Sequence, residues 1–399
     1  MPLELQAPAL SLYVHLPWCL AKCPYCDFNS YAAAEFPAER YVDALIADLE
    51  RELPRIWGRP VHSIFFGGGT PSLFPPESIA RLLSELRARL RLTPGLEISL
   101  EANPGASESK RFRAFREAGI NRLSLGVQSF DDVFLTRLGR VHDGRAAMAA
   151  ISSIHDAGFE RWNLDLIFAL PGQDLSAAMA DLERALSCAP PHLSLYQLTL
   201  EAGTPFAHQA PPGIPGEDLA ADMERALRER LHAVGLVRYE ISAHARPGQE
   251  CWHNRNYWRF GDYLGIGAGA HGKITLPGQG IWRSQKPARP ESYMDDALGP
   301  AAEIGRGHWV QPAERPFEFL LNALRLVEGF SCAQFEAGTG LPCLEIEPQL
   351  RRAQREGLLT YEDGHWRPTG FGLDWHNELC GRFLPRSPRR PAFHAHEPG

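Results

Sequence analysis

No apolar run in the sequence approaches the ~18 residues that a membrane-spanning helix needs, and the N-terminus lacks the charged-then-apolar layout of a secretory signal. Both absences predict a cytoplasmic protein without a transmembrane segment and with no more than transient membrane contact. A cationic excess is missing as well: 41 Lys and Arg stand against 48 Asp and Glu, for a net charge of −7 with the two signs interspersed. No basic face advertises nucleic acid, and none is expected as a partner. Nor is there a disulfide framework. Of eight cysteines three crowd into one loop, while Cys188, Cys251, Cys332, Cys343 and Cys380 are scattered. In a cytosolic chain such scattered residues are expected to be reduced core or surface thiols. What remains is ordinary for a globular protein, with 44% hydrophobic and 22% charged residues in a chain of 399. That length accommodates one large domain and a small one.

The clustered cysteines, Cys19, Cys23 and Cys26, lie in Tyr13-Val-His-Leu-Pro-Trp-Cys-Leu-Ala-Lys-Cys-Pro-Tyr-Cys-Asp-Phe-Asn-Ser30. This loop is one ligand short. Structural zinc takes four ligands, and an ordinary iron–sulfur cluster takes four thiolates. Three thiolates can hold three irons of a [4Fe–4S] cube and leave the fourth open to a small molecule. With the aromatic Tyr25 directly before the last cysteine, the loop resembles that of the radical S-adenosylmethionine (SAM) proteins, whose open iron chelates the amino and carboxylate groups of SAM.

Strand-like apolar runs at 10–16, 61–67, 97–102, 122–127, 162–170 and 192–200 alternate with stretches of helical period at 38–52, 76–90, 106–118, 143–157 and 174–187. Repeated β-α units imply a parallel sheet with right-handed crossovers. Six strands without a dinucleotide-type reversal point to an α/β fold of the partial (β/α)6 barrel kind, and chemistry is then expected on the loops after the strands. A helix near 217–233 follows, and this barrel unit is assigned residues 1–240. Residues 241–309 are rich in Gly and aromatics and poorly periodic, and are expected to pack over the barrel mouth or edge. Residues 310–382 read as three helical pieces and a hairpin turning at Asp363-Gly364, a small winged-helix-like α+β domain. Without a basic stripe its expected role is structural or partner docking. The tail, 383–399, has a Pro- and Arg-rich composition that predicts disorder.

The strand ends carry the remaining candidates. Strand two ends in Gly67-Gly-Gly-Thr-Pro71, whose glycines are expected to let the backbone approach a ligand and present N–H donors to an anionic group. Strands three, four and five end in Glu101-Ala-Asn-Pro104, Gly126-Val-Gln-Ser-Phe130 and Asp165-Leu-Ile-Phe-Ala-Leu-Pro-Gly172. Glu101, Gln128 and Asp165 are thus polar residues within apolar runs. One alone is as readily a satisfied buried group, whereas three in succession predict a shared pocket. Arg140 follows, a guanidinium suited to a carboxylate of ligand or protein.

These elements, in this order, resemble the radical-SAM proteins related to oxygen-independent coproporphyrinogen III oxidase, from residue 11 to about 380. The resemblance implies a [4Fe–4S] cluster on Cys19, Cys23 and Cys26, with Tyr13 near it and contacting SAM. It further implies that Gly68, Gly69 and Thr70 hold the amino acid part of SAM, with Glu101, Gln128, Arg140 and Asp165 completing the pocket. Within that family the oxidase has a further cysteine where this chain has Phe28, and a longer N-terminal segment. His253-Asn-Arg-Asn-Tyr-Trp258 instead resembles the H-N-x-x-Y-W signature of a heme-chaperone branch. That branch implies heme as ligand, an unidentified heme-acceptor protein as partner, and a monomer or homodimer. His253 and Tyr257 are the candidate heme-binding residues, with an imidazole for the iron and flat rings for the macrocycle. Cys251 is an open alternative ligand. The second reading is a radical-SAM enzyme that decarboxylates a porphyrinogen. Coproporphyrinogen oxidase activity is not expected, and no residue is assigned a catalytic role.

Overall fold

The computed structural model describes residues 3–105, 110–300 and 303–384. Six β-α units open the chain: β1 (Leu10–Leu16), α1 (Ala38–Ile56), β2 (Val61–Gly68), α2 (Pro76–Arg89), β3 (Leu92–Ala102), α3 (Phe112–Ala118), β4 (Arg122–Gln128), α4 (Asp132–Arg137), α5 (Gly144–Asp156), β5 (Arg161–Phe168), α6 (Leu175–Leu186), β6 (His192–Gln197) and α7 (Glu217–Ala233). Their strands lie side by side in chain order and all in parallel.

Alternation along each strand decides what faces where, because successive side chains point to opposite faces. Leu10, Leu12, Val14 and Leu16 of β1 pack outward in the main core, as do Leu123, Leu125 and Val127 of β4. They meet helix stripes such as Tyr41, Leu45, Leu49 and Ile56 of α1, all buried. Each such side chain contributes about 1.5–3 kcal/mol by leaving water. The opposite face is polar: Ser99 and Glu101 on β3, Arg122 and Ser124 on β4, Asn163 and Asp165 on β5 line an interior cavity. The core therefore sits between sheet and helices, and the inside of the barrel is left for a ligand.

Residues 237–309 depart from the expected covering segment. They form β7 (Val237–Arg238), β8 (Ala243–Ala245), α8 (Trp252–Trp258), β9 (Asp262–Ile266), β10 (His271–Leu276), β11 (Gly280–Gln285), α9 (Pro290–Leu298) and β12 (Arg306–Trp309). One twelve-stranded sheet results, in the order β12-β11-β10-β9-β1-β2-β3-β4-β5-β6-β8-β7. The two end strands do not pair with each other, so the barrel is partial. Strands of two to six residues are too short to show a period, and β9 finds its parallel partner in β1, far away in sequence. Here too the His253 segment is a helix and not a loop.

A second core gathers α10 (Arg315–Ala323), β13 (Phe330–Ser331), α11 (Cys332–Thr339), α12 (Glu347–Arg355), β14 (Leu359–Glu362) and β15 (His365–Pro368). The winged-helix-like plan holds, and Asp363 and Gly364 both take positive φ (50° and 77°) in the hairpin turn. Two of the three arginines of α12 pair one turn away, Arg351 with Glu347 and Arg352 with Glu356. Two expectations are corrected. Cys332 and Cys343 are not free thiols but a disulfide, because α11 and the turn after it bring their Cα atoms to 5.3 Å. Phe383, placed in the tail, packs in this second core; residues 385–399 lie outside the described residues. No helix of the described residues is long and apolar enough to cross a membrane.

Candidate cluster site and interior cavity

β1 ends at the cysteine loop, and β2 delivers its glycine turn against it. Cys19, Cys23 and Cys26 line one pocket, shared with Gly68, Gly69 and Thr70. Glu101, Gln128, Arg140 and Asp165 border the same space. Among the described residues no three His, Cys, Asp or Glu converge as the ligands of a single metal ion would. Separated cysteine sulfurs around one hollow suit a cluster, whose irons occupy different corners. Arg140 ties the loop to the barrel. One Nη donates to Cys23 Sγ at 3.5 Å, the other to Asn103 Oδ1 at 2.5 Å and the Gly126 carbonyl at 2.8 Å. Asn103 in turn donates to Thr70 Oγ1 at 2.7 Å.

The glycine turn works differently from the expectation. Its amides are used within the protein: Gly68 N–H donates to Glu101 Oε2 (3.1 Å), Gly69 N–H to the Leu16 carbonyl (2.8 Å) and Thr70 N–H to the Trp18 carbonyl (2.7 Å). Glycine is required here by space. A Cβ on Gly69 would stand 2.5 Å from the Trp18 oxygen, and one on Gly68, whose φ is 119°, 2.7 Å from the His15 ring. Gly69→Ala must push the cysteine loop off β2. It is expected to cost about 1–3 kcal/mol, measured by urea denaturation.

Burial, then repulsion from Asp165, raises the Glu101 carboxyl to about 8. Burial also raises Asp165, although Asn163 and Ser124 donate to it at 2.8 and 3.2 Å. Gln128 reaches the pocket through a register shift after Gly126 and a left-handed φ of 69°. A bulge beside a site that re-aims a side chain is a recurrent device.

Tyr13 is placed otherwise. It does not border the cysteine pocket but lines the deeper cavity of ≈ 680 Å³, its hydroxyl 3.0 Å from His15 Nδ1 and its ring stacked on Phe65. The two spaces share Tyr25, Cys26, Glu101, Gln128 and Asp165 as walls. His253 and Tyr257 also line the deep cavity. His253 is 1% exposed, and burial lowers its imidazole to about 3, so the ring is neutral. Its Nδ1 lies 2.7 Å from Ser63 Oγ. With Ser63 donating to Ser11 (3.1 Å), the tautomer that satisfies Ser63 puts the proton on His253 Nδ1 and the lone pair on Nε2. That Nε2 is buried without a protein partner. Cys251, by contrast, stays a thiol, raised by burial and then by Glu97, with Sγ 3.5 Å from Glu97 Oε1. The C-terminal domain grips the same helix: Arg255 and Arg259 pair with Glu328, and Arg325 lies 4.2 Å over the Trp258 ring.

A barrel of this kind with three cysteines on its first loop defines a class, and comparison agrees: residues 13–185 match the radical SAM superfamily and residues 310–375 the HemN C-terminal domain. The chain belongs, more narrowly, to the HemW family. It is 45% identical over 378 residues to the heme chaperone HemW of Escherichia coli, covering 94% of this chain and 98% of that protein. It is 43% identical to the heme chaperone HemW of Haemophilus influenzae, over 94% and 98% of the two chains. The mitochondrial radical S-adenosyl methionine domain-containing protein 1 of Bos taurus is 37% identical, over 94% and 87%. In fold the chain is similar to the solved coproporphyrinogen III oxidase HemN of Escherichia coli, with a TM-score of 0.79 at 24% identity over 94% and 90% of the two chains.

Proposed function

We propose that the protein is a heme chaperone that binds heme in the barrel interior through His253 Nε2 and passes it to an acceptor protein. One observation carries the reading: a neutral imidazole at the wall of a ≈ 680 Å³ cavity, its Nδ1 held by Ser63 and its Nε2 buried and unpartnered. A ligating His with its other nitrogen held by a hydrogen bond is the usual arrangement at metals. Tyr257, edge-on to His253 at 4.8 Å, and Phe65, stacked at 5.0 Å, offer ring surfaces on either side. The relatives named heme chaperone HemW support the assignment.

Cys19, Cys23 and Cys26 would hold a [4Fe–4S] cluster, with Gly68, Gly69 and Thr70 beside an exchangeable SAM, and Arg140, Glu101, Gln128 and Asp165 around it. Bound there, the pair supplies one-electron reduction and a ligand for the open iron. The residues themselves bind, orient and exclude water. Arg140 fixes the Cys23 loop against Asn103. Phe28, 60% exposed beside the last cysteine, stands at the mouth of both spaces.

His253→Ala is expected to lose the Soret band of added heme while keeping the cluster absorption, whereas Cys251→Ala keeps both. An unchanged band in His253→Ala would move the ligand elsewhere. Anaerobic incubation with coproporphyrinogen III and SAM is expected to give no protoporphyrinogen IX, and efficient turnover would overturn the chaperone reading.

A further inference from the structure

Three polar atoms besides His253 Nε2 are buried at the wall of the deep cavity without a protein partner: Ser99 Oγ, Arg122 Nη2 and Trp258 Nε1. Ser99 and Arg122 face each other in the β3–β4 register, nearer the strand N-termini than Glu101 and Gln128, and are 1% and 3% exposed. Trp258 ends the helix that carries His253. Arg122 is anchored on one side only. Its Nη1 donates to the Gln249 carbonyl at 3.0 Å and lies 3.5 Å from Glu97 Oε2. Arg161 also approaches Glu97, at 3.8 Å. Two guanidinium groups therefore share one carboxylate, which leaves net positive charge on the Arg122 side chain at the cavity wall.

A buried cation without full compensation is costly. The chemistry of the three atoms says what would relieve it. Guanidinium and indole are donors only, and a hydroxyl donates as readily as it accepts, so the set matches an acceptor-only anion with several lone pairs. A carboxylate is such a group, and its pairing with Arg is strong and planar. Among the residues lining the cavity Arg122 is the one arginine or lysine, and the far end carries Glu101 and Asp165 instead. The cavity is thus polarised, with its positive end level with Ser99.

We infer that Ser99, Arg122 and Trp258 form a carboxylate-receiving floor, and that the ligand class of the cavity is a porphyrin with free propionates. The porphyrin part rests on the heme reading of the same cavity; the carboxylate part rests on these three residues. Metal-free protoporphyrin IX and its dimethyl ester, titrated against the full chain by fluorescence, test it without any iron ligand. The diacid is expected to bind about tenfold or more tighter than the ester, the factor for one charge-assisted hydrogen bond. Arg122→Gln should bring the ratio near one, and Trp258→Phe, which keeps the ring under Arg325, should reduce it several-fold. Ser99→Ala removes only a hydroxyl, so it serves where Arg122→Gln does not fold, and it too should lower the ratio. Equal binding of diacid and ester overturns the inference, as does a preference unchanged in the folded variants. If the preference persists but hemin gives no His253-dependent Soret band, the iron-ligand reading falls and the floor stands. If neither metal-free porphyrin binds while hemin gives a His253-dependent Soret band, the floor falls and the iron-ligand reading stands.

Discussion

Cys23→Ala is expected to abolish the [4Fe–4S] cluster outright, with iron and acid-labile sulfide falling from about four per chain to background. The size of the effect follows from the missing fourth ligand. A centre already held by three thiolates has no spare one, and none of Cys188, Cys251 or Cys380 lines the pocket. The same variant should barely disturb the fold. Arg140 loses one long contact to Cys23 but keeps Asn103 and the Gly126 carbonyl, so the unfolding free energy from urea titration should fall by less than about 1 kcal/mol. Cluster loss without unfolding is the result that assigns the ligand. A folded Cys23→Ala protein with full iron content would undo the assignment, and the same holds for Cys19 and Cys26.

The six barrel strands were legible because their outward faces are apolar at every second position and turn or helix signals punctuate them. The hairpin turn was legible because Asp-Gly is one of few pairs that accept two positive φ values. The inside of the barrel was harder to see. Glu101, Gln128 and Asp165 stood out at strand ends, yet Ser99, Arg122, Asn163, His192 and Ser194 follow the same period-two pattern and line the same cavity. Reading the polar phase of the alternation, and not only the apolar one, would have found them. Asn103 was missed because its role is to bridge Arg140 and Thr70, a contact that no spacing encodes. The glycine turn was placed correctly and given the wrong physics: the sequence shows that the backbone comes close to something, but only the structure shows that the neighbour is the Trp18 carbonyl. Strand β9 escaped because its pairing with β1, across more than two hundred residues, leaves no local trace, and β10 to β12, which pair with near neighbours, are too short to show a period.

That long-range pairing is held by one buried carboxylate. Asp262, 0% exposed, opens β9; Lys273 donates to its Oδ1 at 2.8 Å, and Arg59 and the Thr275 amide to its Oδ2 at 2.8 and 2.7 Å. Its backbone carbonyl also accepts from Asn256 of α8, which donates to Ser11 of β1 as well. Asp262→Ala would leave Lys273, 1% exposed, as an uncompensated charge, so about 3–5 kcal/mol of stability should be lost in urea unfolding. If unpaired charge is the cause, the double variant Asp262→Leu, Lys273→Met should recover most of that loss, since an apolar pair of similar volume often replaces a buried ion pair without penalty. A double variant no more stable than Asp262→Ala would point to lost packing instead. Burial alone would raise the Asp262 carboxyl, but Lys273 and Arg59 outweigh it and hold the group below its ordinary value. A depressed carboxyl stabilises fully above its unfolded value of about 3.9 and less as pH falls through the folded one. The gap between wild type and Asp262→Ala should therefore be widest near neutrality and shrink below about pH 4. Because β9 and Asn256 fix α8 against β1, Asp262→Ala should also weaken the heme binding proposed at His253. The cysteine loop leaves the other end of β1, so iron content per folded chain should stay unchanged, separating the seat of the heme helix from the seat of the cluster.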